Sequence, residues 1–376
     1  MICVVSAGHL LYNLCANSAR TTFRRRRATS QMSRAVRIIS IVFIILFFAI
    51  VSVSGAAQIF KRGIKVTDGK AAYVQEAASL KDYVLYSAFG VSGNEKVIAG
   101  NGGWLFFAET LDDYTGARPL ADEEIENIAR KLKSLNDHCA KNGAELCFII
   151  APNKNTIYPE LMPKYYKNLH NSNFSRLLES LEALGVNAPD ARELLLKNKH
   201  NEDTLYYKTD THWNAKGAAV IADYLIDSFA PENSFRYADR LADSREFTGG
   251  DLYKLLFPSA SIRVKGVSGI SDNAYHFAEA SGFVYTEPPV SMMDLDIETR
   301  CESAKGGKLL VYRDSFGSEL VPLLSSQFET VHYLRGNMPY DFSCIEAEHP
   351  DRVVFIIAER NIPSLLTAAF EFGRSS

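Results

Sequence analysis

Two short segments of the sequence hold the residue types of a serine nucleophile and its base. Asp210 and His212 lie in "KTDTHWNAKG", and Ser315 lies in "VYRDSFGSEL". A serine hydroxyl becomes a useful nucleophile when a base takes its proton and a third group holds that base in the correct tautomer. Residues two apart in an extended turn project to the same side, so the Asp210 carboxylate can reach Nδ1 of His212 and leave Nε2 free. The three residues together predict acyl-transfer chemistry.

Each segment is weak evidence by itself, because an Asp-x-His triplet also occurs in ordinary surface turns. A metal site is the other alternative for such a triplet. The remaining histidines, His332 among them, show no ligand spacing, and no cysteine or histidine cluster has zinc spacing. We therefore predict no structural metal and no bound cofactor, and we interpret the other histidines as bystanders.

Strands and helices alternate along the part of the chain that must position these residues. Apolar residues at helical spacing predict an amphipathic helix over 121–141, and the apolar run 144–152, ended by proline, predicts a strand buried on both faces. Further helices are expected at 66–92, 172–184 and 214–229, and further strands at 100–109, near Val186, and at 307–317, 330–334 and 351–360. This alternation predicts an α/β fold with an open, mostly parallel sheet covered by helices, whose active site lies at the carboxyl ends of the strands.

The predicted elements give each candidate residue a local setting. Asn214 is a plausible N-cap for the helix 214–229, so the Asp210 and His212 pair would stand on a loop at a helix start. Ser315 follows the apolar strand 309–312, and Gly317 allows a tight turn before a helix. Such a turn would aim backbone N–H groups at a developing oxyanion.

Five motifs in a fixed order resemble the alginate O-acetyltransferase family, whose domains have a fold similar to SGNH hydrolases. They are "GNGGWLFF", "APNKNTIYPELMP", "YYKTDTHWNAKGA", "GGDLYKLL" and "VYRDSFGSEL", within about residues 95–375. The resemblance implies that Ser315 is the nucleophile, His212 the general base and Asp210 its orienting partner. In ordinary SGNH hydrolases the serine comes first, so the motif order here is circularly permuted. Triads tolerate such permutation because their geometry defines them.

The chain departs from the SGNH hydrolase pattern in two places. Arg313 stands where that pattern has glycine, and no Gly-x-Asn-Asp block supplies the usual oxyanion asparagine. Residues at the ends of the two later strands would replace these blocks. We nominate Arg335 or Arg360 to support the acyl oxygen or a glycan, and a solvated or salt-bridged arginine is the equal alternative for each.

Three more residues are candidates for substrate binding. Asn153 and Lys154 follow the strand 144–151, where ligands of such sheets bind, although a turn asparagine and a solvated lysine are equally good interpretations. Trp213 could stack on a sugar ring, and we prefer the alternative that its ring packs to orient His212.

An uncharged segment of twenty residues, 38–57, has the length of a transmembrane helix. Seven arginines precede it and three basic residues follow it, which places the N-terminus in the cytoplasm and the rest outside. A cleaved signal peptide is the alternative, although its apolar region would be shorter. We predict a leader over 1–37 that could be an extension of the gene model, a juxtamembrane linker or helix over 58–94, and an acetyltransferase domain over 95–376. An insertion of loops and small strands is expected at about 232–300.

Charge and cysteine content limit the remaining classes. The 376 residues carry a formal net charge of −3 from well-mixed acidic and basic residues, which gives no electrostatic footprint for nucleic acid. Six cysteines are present. The four that follow the apolar segment could pair in an oxidising compartment.

The predicted function is transfer of acetyl groups to polysaccharide hydroxyls on the periplasmic side of the inner membrane. The resemblance implies that a membrane-bound O-acyltransferase partner supplies the acetyl groups. Two alternatives stay open: an extracytoplasmic carbohydrate acetylesterase with the same triad, and a non-catalytic scaffold for polysaccharide export.

Overall fold

The computed structural model describes residues 69–168, 172–200, 204–230, 235–247, 249–258, 271–336 and 339–373. Ala71–Ser376 form one compact unit. The helices are α1 (Gly69–Phe89), α2 (Leu111–Thr115), α3 (Asp122–Lys141), α4 (Lys154–Ile157), α5 (Asn173–Ala183), α6 (Ala191–Lys197), α7 (Ala215–Phe229), α8 (Asp251–Leu256), α9 (Leu320–Ser325) and α10 (Cys344–Glu348). The strands are β1 (Val97–Ala99), β2 (Leu105–Phe107), β3 (Glu145–Ala151), β4 (Ala242–Phe247), β5 (Asp272–Phe277), β6 (Val284–Tyr285), β7 (Asp296–Arg300), β8 (Lys308–Arg313), β9 (Thr330–Arg335), β10 (Tyr340–Asp341), β11 (Arg352–Ala358) and β12 (Phe370–Glu371).

The predicted transmembrane segment 38–57 and the leader 1–37 lie outside the described residues. Within the ranges given above, none of the helices combines the length and the apolar character that a membrane crossing requires.

The centre of the compact unit is a six-stranded sheet with the strand order β3-β11-β8-β9-β7-β6. The first four strands run parallel, and β7 and β6 add an antiparallel edge. Ala358 pairs with Ala151, and Arg313 pairs with Arg335, so the parallel strands end at the same edge of the sheet. The predicted open, mostly parallel sheet is confirmed, and the segments after β3, β8, β9 and β11 leave it together.

Alternate residues of the central strands pack into two separate cores. Phe148 and Ile150 of β3 face the core formed with α3 and α5, whereas Cys147 and Ile149 face the core formed with α6, α7 and α9. Because helices cover both faces, the strand sequences are continuous apolar runs rather than alternating ones. Each large apolar side chain buried in this way contributes about 1.5–3 kcal/mol to folding.

One sequence-based expectation about the sheet is wrong. No strand forms near Val186, where a single backbone bond from the Phe148 N–H to the Asn187 carbonyl replaces strand pairing. The segment 232–300 does contain a separate antiparallel pair, β4 with β5. However, β7 pairs with β9 and buries Ile297 in the core, so the end of that segment belongs to the central sheet.

The four described cysteines are free thiols, which corrects the expectation that they could pair. Cys139 lies in α3 on one face of the sheet, and Cys147 of β3 points to the core on the opposite face. The sheet therefore separates these two thiols. Burial raises the pKa of Cys139 to about 12 and that of Cys147 further still, so both are protonated at neutral pH.

Candidate active site

Asp210, His212 and Ser315 form one hydrogen-bonded chain at the carboxyl edge of the sheet. Nδ1 of His212 lies 2.6 Å from Oδ1 of Asp210, and Nε2 lies 2.8 Å from Oγ of Ser315. The side chains of His212 and Asp210 are 22% and 21% exposed, so the histidine is shielded and still reachable. The structure therefore brings together the three residues that the sequence analysis singled out, although His212 and Ser315 are 103 positions apart.

A closed turn of the chain carries Asp210 and His212. Tyr206 pairs with Trp213, the Tyr207 N–H donates to the His212 carbonyl, and the Asn214 N–H donates to the Leu205 carbonyl. This turn, residues 205–214, is called the base loop below. It ends at the start of α7, where the Asn214 side chain accepts hydrogen bonds from two backbone N–H groups. The predicted N-cap is confirmed, and it fixes the loop to a buried helix.

The Asp210 carboxylate is held in its charged form. Burial by itself would raise its pKa, but the hydrogen bond to His212, the charge of that ring and the N–H groups of Asp251 and His212 outweigh burial and lower the pKa of Asp210 to about 2. One of its oxygens also accepts from the His212 N–H at 3.1 Å. A charged Asp210 favours the ring tautomer with the proton on Nδ1, which leaves Nε2 as the acceptor for the serine proton.

Lys154 supports the base loop from below, which corrects its assignment as a substrate-binding residue. It is 4% exposed, and its ammonium donates to the backbone carbonyls of Tyr207, Lys208 and Asp210. An ammonium has three donors, and all three are used by the loop. Burial lowers the pKa of Lys154 to about 8, against the opposing effect of nearby carboxylates.

A second turn, residues 313–319, presents Ser315 and is called the nucleophile turn. Ser315–Glu319 form a 3₁₀ helix, and α9 follows from Leu320, so the helix predicted after the turn is present. The Asp314 carboxylate accepts from the N–H groups of Phe316 and Ala358 and from the Asn361 side chain. Because Asp314 accepts from the N–H groups of Phe316 and Gly317, these two donors are not available to an oxyanion.

Arg313, which stands where the hydrolase pattern has glycine, links two segments of the site. Its guanidinium is buried and donates to the carbonyls of Met292 and Asp294 and to the Ser318 hydroxyl. It thereby fastens the segment before β7 to the nucleophile turn. Gly317 permits this packing, because a Cβ there would lie 2.6 Å from Cβ of Arg313. Burial, and then the neighbouring Arg335, lowers the pKa of Arg313 to about 10.

Trp213 and Phe316 join the base loop to the nucleophile turn. The indole N–H of Trp213 donates to the Phe316 carbonyl at 3.0 Å, and the two rings meet edge to face at 5.0 Å. Trp213 is fully buried, so its ring is not available to a sugar. Trp213 is therefore not a substrate-binding residue, which corrects that assignment. The preferred alternative, a ring that packs in the interior beside His212, agrees with the structure.

Asp251 lies in the motif "GGDLYKLL", and its residue type and spacing predicted no role for it. The N–H of Asp251 donates to Oδ2 of Asp210, and its carboxylate accepts from the N–H and the hydroxyl of Thr211. Ligand atoms of Asp210, His212 and Asp251 lie within 4.8 Å of one another. Because protein donors already satisfy these carboxylates, we assign no metal to the cluster.

A shallow recess opens beside the base loop, between the ends of β3 and β11. Asn153 and Arg360 line it together with Thr211, the residue before His212. Asn153 is 1% exposed, and its Oδ1 has no hydrogen-bond partner within the described part of the chain. The Arg360 guanidinium lies 5.4 Å from the ring centre of Phe316, and among the described residues it forms no hydrogen bond.

Charged groups behind the recess hold Asn153 in place. Its backbone N–H donates to buried Glu359, and its side-chain NH₂ donates to Asp113 at 3.2 Å. Burial raises the pKa of Glu359 to about 7 and that of Asp113 to about 6. Arg335, the other nominated arginine, is half-buried at the end of β9 and donates to the Met293 carbonyl.

Residues 97–245 match the family described as "SGNH hydrolase-like domain, acetyltransferase AlgX". A probable alginate O-acetylase, AlgJ of Pseudomonas aeruginosa, is 29% identical over 147 residues, which are 38% of this chain and 34% of that protein. Over these residues the chain is similar to this family of acetyltransferase domains and to AlgJ. The matching stretch spans about a third of the curated relative, and the family match ends before Ser315, so the pairing of His212 with Ser315 rests on geometry.

Two solved structures superpose on most of this chain. Bacillus cereus PatB1 superposes with a TM-score of 0.54 at 17% identity, over 71% of this chain and 96% of that one. A DHHW family protein from Eubacterium siraeum gives 0.51 at 15% identity, over 73% and 99%. The SGNH hydrolase-like α/β fold is therefore confirmed.

Proposed function

We propose that this protein is an extracytoplasmic O-acetyltransferase that moves acetyl groups onto polysaccharide hydroxyls. The observation that carries the proposal is the continuous chain from Asp210 through His212 to the Ser315 hydroxyl, with contacts of 2.6 and 2.8 Å. The relationship to proteins named alginate O-acetylases supports the choice of acetyl as the transferred group.

The proposed reaction has two balanced halves. In the first, His212 takes the proton of Ser315 as Oγ attacks the acetyl carbonyl of a donor ester, and the same proton then protonates the leaving alcohol. In the second, His212 takes the proton of a sugar hydroxyl, the sugar oxygen attacks the acetyl-serine, and Ser315 is released with its proton restored. Asp210 stabilises the imidazolium in both halves. The chemistry needs no redox step.

The acceptor lies across the mouth of the shallow recess beside the base loop. Asn153 offers a buried carbonyl oxygen without a hydrogen-bond partner among the described residues, and Arg360 offers guanidinium donors held over the Phe316 ring. Buried polar groups of this kind gain the most when a ligand satisfies them, because an unsatisfied group costs about 1–3 kcal/mol. Arg335 lies at the end of the neighbouring strand and would contact the glycan or the acyl oxygen from the other side of Ser315.

The topology of the reaction is also part of the proposal. The apolar segment 38–57 anchors the chain in the inner membrane, and the domain faces the periplasm beside a membrane-bound O-acyltransferase that supplies acetyl groups. Protease protection of the full-length protein in intact and opened spheroplasts tests this. Digestion of the domain only after lysis of the inner membrane would place it in the cytoplasm and end this part of the proposal.

The decisive experiment incubates the full-length protein with a chromogenic acetyl ester, with and without an oligosaccharide acceptor. Mass spectrometry then follows acetyl on the protein and on the sugar. Acetyl on Ser315 that moves to the sugar supports transfer, and free acetate as the sole product supports the esterase.

Ser315→Ala is compared with Ser318→Ala, a matched control on the same turn. The Ser318 hydroxyl donates to the Met292 carbonyl rather than to His212. We expect no acyl-enzyme with the first and retained acylation with the second. Unchanged polymer acetylation in cells carrying Ser315→Ala, together with its loss on deletion of the whole gene, would favour the scaffold alternative.

Asn153→Ala and Arg360→Gln test the recess. Both are expected to raise the KM for the acceptor about tenfold while the rate of acetyl-Ser315 formation stays within about twofold, since one polar contact contributes about 1–1.5 kcal/mol. An equal loss of acylation in both variants would place these residues on the donor side instead.

A further inference from the structure

Asp251 places a second carboxylate next to the candidate base. Its Oδ2 lies 3.9 Å from Nδ1 of His212, the same nitrogen that bonds Asp210 at 2.6 Å. The Thr211 hydroxyl stands between them, because it donates to Oδ2 of Asp251 at 2.6 Å and lies 3.2 Å from Nδ1. Two carboxylates therefore face one edge of the ring, and Ser315 faces the other.

The start of α8 and the base loop exchange hydrogen bonds in both directions. The Asp251 N–H donates to Oδ2 of Asp210 at 2.8 Å, and the Thr211 N–H donates to Oδ1 of Asp251 at 2.8 Å. The contact requires Gly250, because a Cβ there would lie 2.3 Å from the Thr209 carbonyl oxygen. The two segments therefore pack closely. Both carboxylate oxygens of Asp210 are hydrogen-bonded, one to His212 and one to the Asp251 N–H, which restrains the carboxylate beside the ring.

We propose that Asp251 is a positioning residue of the acyl-transfer site, which fixes the Asp210 carboxylate and adds a second negative charge to stabilise His212 when it holds the serine or sugar proton. This inference rests on the proposed function. It assigns Asp251 a part in both halves of the reaction without contact to the substrate.

The physical reason is that the ring becomes positively charged twice in each cycle. Burial, and then the charge of Asp210, raises the pKa of Asp251, and the Thr211 side chain and N–H act against this rise. The other charged groups that face this cluster are Glu319, which interacts electrostatically with His212, and Lys154, whose ammonium bonds the Asp210 carbonyl. An imidazolium among these groups is stabilised by the carboxylates and opposed by Lys154.

The test is the pH dependence of ester hydrolysis by the full-length protein. Asp251→Asn keeps an oxygen for the Thr211 N–H and removes the charge. We expect the acid limb of the kcat/KM profile to move down by about 0.5–1 pH unit, because the imidazolium loses part of its stabilisation. The plateau is expected to fall by up to about tenfold, because the imidazolium formed in each half of the reaction is less stable without the second carboxylate. Asp251→Glu should return the limb towards its original pH.

Asp272→Asn is the matched control. Asp272 anchors the same base loop by accepting from the N–H groups of Lys208 and Thr209 and from the Thr209 hydroxyl. A purely structural effect on the loop would lower the plateau in this variant as well, but it would not move the acid limb. A limb that moves equally in both variants overturns the proposal, as does an unmoved limb in Asp251→Asn.

Thr211→Val carries the same test with the same sign if Asp251→Asn does not fold. Without the Thr211 hydroxyl, the Asp251 carboxylate loses a donor that holds its pKa down, so it carries less negative charge towards His212 and the acid limb should move to lower pH. A limb that stays in place or moves up rejects the role of Asp251. Failure of the proposed function and failure of the role of Asp251 give different results. If the wild-type protein shows no Ser315-dependent ester cleavage, the proposed function fails. If it cleaves the ester but the acid limb does not move in the variants, only the role of Asp251 is rejected.

Discussion

His212 and His332 each lie within 4 Å of two carboxylates, and they differ in what the second ring nitrogen meets. His212 bonds Asp210 through Nδ1, and its Nε2 meets the hydroxyl of Ser315. His332 bonds Glu348 through Nδ1 at 2.7 Å and Asp296 through Nε2 at 2.8 Å. The first ring has one nitrogen left for proton transfer, and the second has none.

The difference shows how similar surroundings give different chemistry. Both carboxylates of the His332 site bind the charged ring, so this ring connects β9 to β7 and α10. Burial acts to lower the pKa of His332, but the hydrogen bonds and charges of Glu348 and Asp296 outweigh it and raise the pKa to about 9. A group that stays protonated at neutral pH is an unsuitable base, whereas it makes a good link between elements.

Removing each ring gives the largest contrast. His212→Gln should lower kcat/KM for ester cleavage by about 10³–10⁴-fold, because the general base is lost. His332→Gln should leave kcat/KM within about twofold. Steady-state kinetics of both variants check this. A large loss in His332→Gln, with the fold intact by circular dichroism, would mean that the second cluster acts on catalysis.

Replacing the carboxylate behind each ring should give the next largest effect. Asp210→Asn is expected to lower kcat/KM by about 10²–10⁴-fold, because an amide favours the wrong tautomer of His212. Glu348→Gln should change kcat/KM by less than about twofold. The same kinetic assay measures both, and near-normal activity of Asp210→Asn would exclude Asp210 from the proposed triad.

The charged His332 ring should make the unfolding free energy depend on pH. Its folded-state pKa of about 9 lies above the unfolded value of about 6.5, so its stabilisation is complete below about pH 6.5 and is lost as the pH rises through about 9. We expect His332→Gln to lower the unfolding free energy by about 1–2 kcal/mol at pH 6. The loss should shrink at pH 10. Denaturant titrations at the two pH values measure it, and a loss that grows with pH contradicts this sign.

The two carboxylates at His332 should differ slightly from each other. The Asp296 side chain is 70% exposed and that of Glu348 is 37% exposed. Solvent screens the more exposed pair, so Asp296→Asn should cost less than about 0.5 kcal/mol and Glu348→Gln about 1 kcal/mol. Thermal unfolding at low and high salt compares them. A reversed order would show that exposure does not rank these pairs.

The sequence predicted most of the fold because the central elements are long and strongly patterned. Helices α3, α5 and α7 and strands β3, β8, β9 and β11 lie where apolar spacing placed them. The short strands β4 to β7 were predicted only as an insertion, since a run of five residues such as Asp296–Arg300 shows no pattern that tells a sheet edge from a loop. Pairing with β9, which is distant in the chain, decides the place of β7.

The site was predicted unevenly for a related reason. Asp210 and His212 are neighbours in the chain, so their contact follows from local geometry. Lys154 and Trp213 were placed at the correct edge of the sheet, but their burial could not be read from their types, because both types also occur at exposed ligand sites. Asp251 contacts Asp210 across 41 positions, and only its motif could have drawn attention to it.

The amino-acid sequence by itself determined the chemical components: a carboxylate and an imidazole two residues apart, a serine after a buried strand, and the apolar patterns that make a sheet covered on both faces. Those features are local, since they depend on spacing of a few residues. The tertiary structure decided which polar groups satisfy one another. It turned Lys154 and Arg313 inward onto backbone carbonyls, left the Asn153 oxygen without a protein partner in the described structure, and set Asp251 beside His212. Hydrogen bonds act over about 3 Å, and only the folded chain brings distant segments that close.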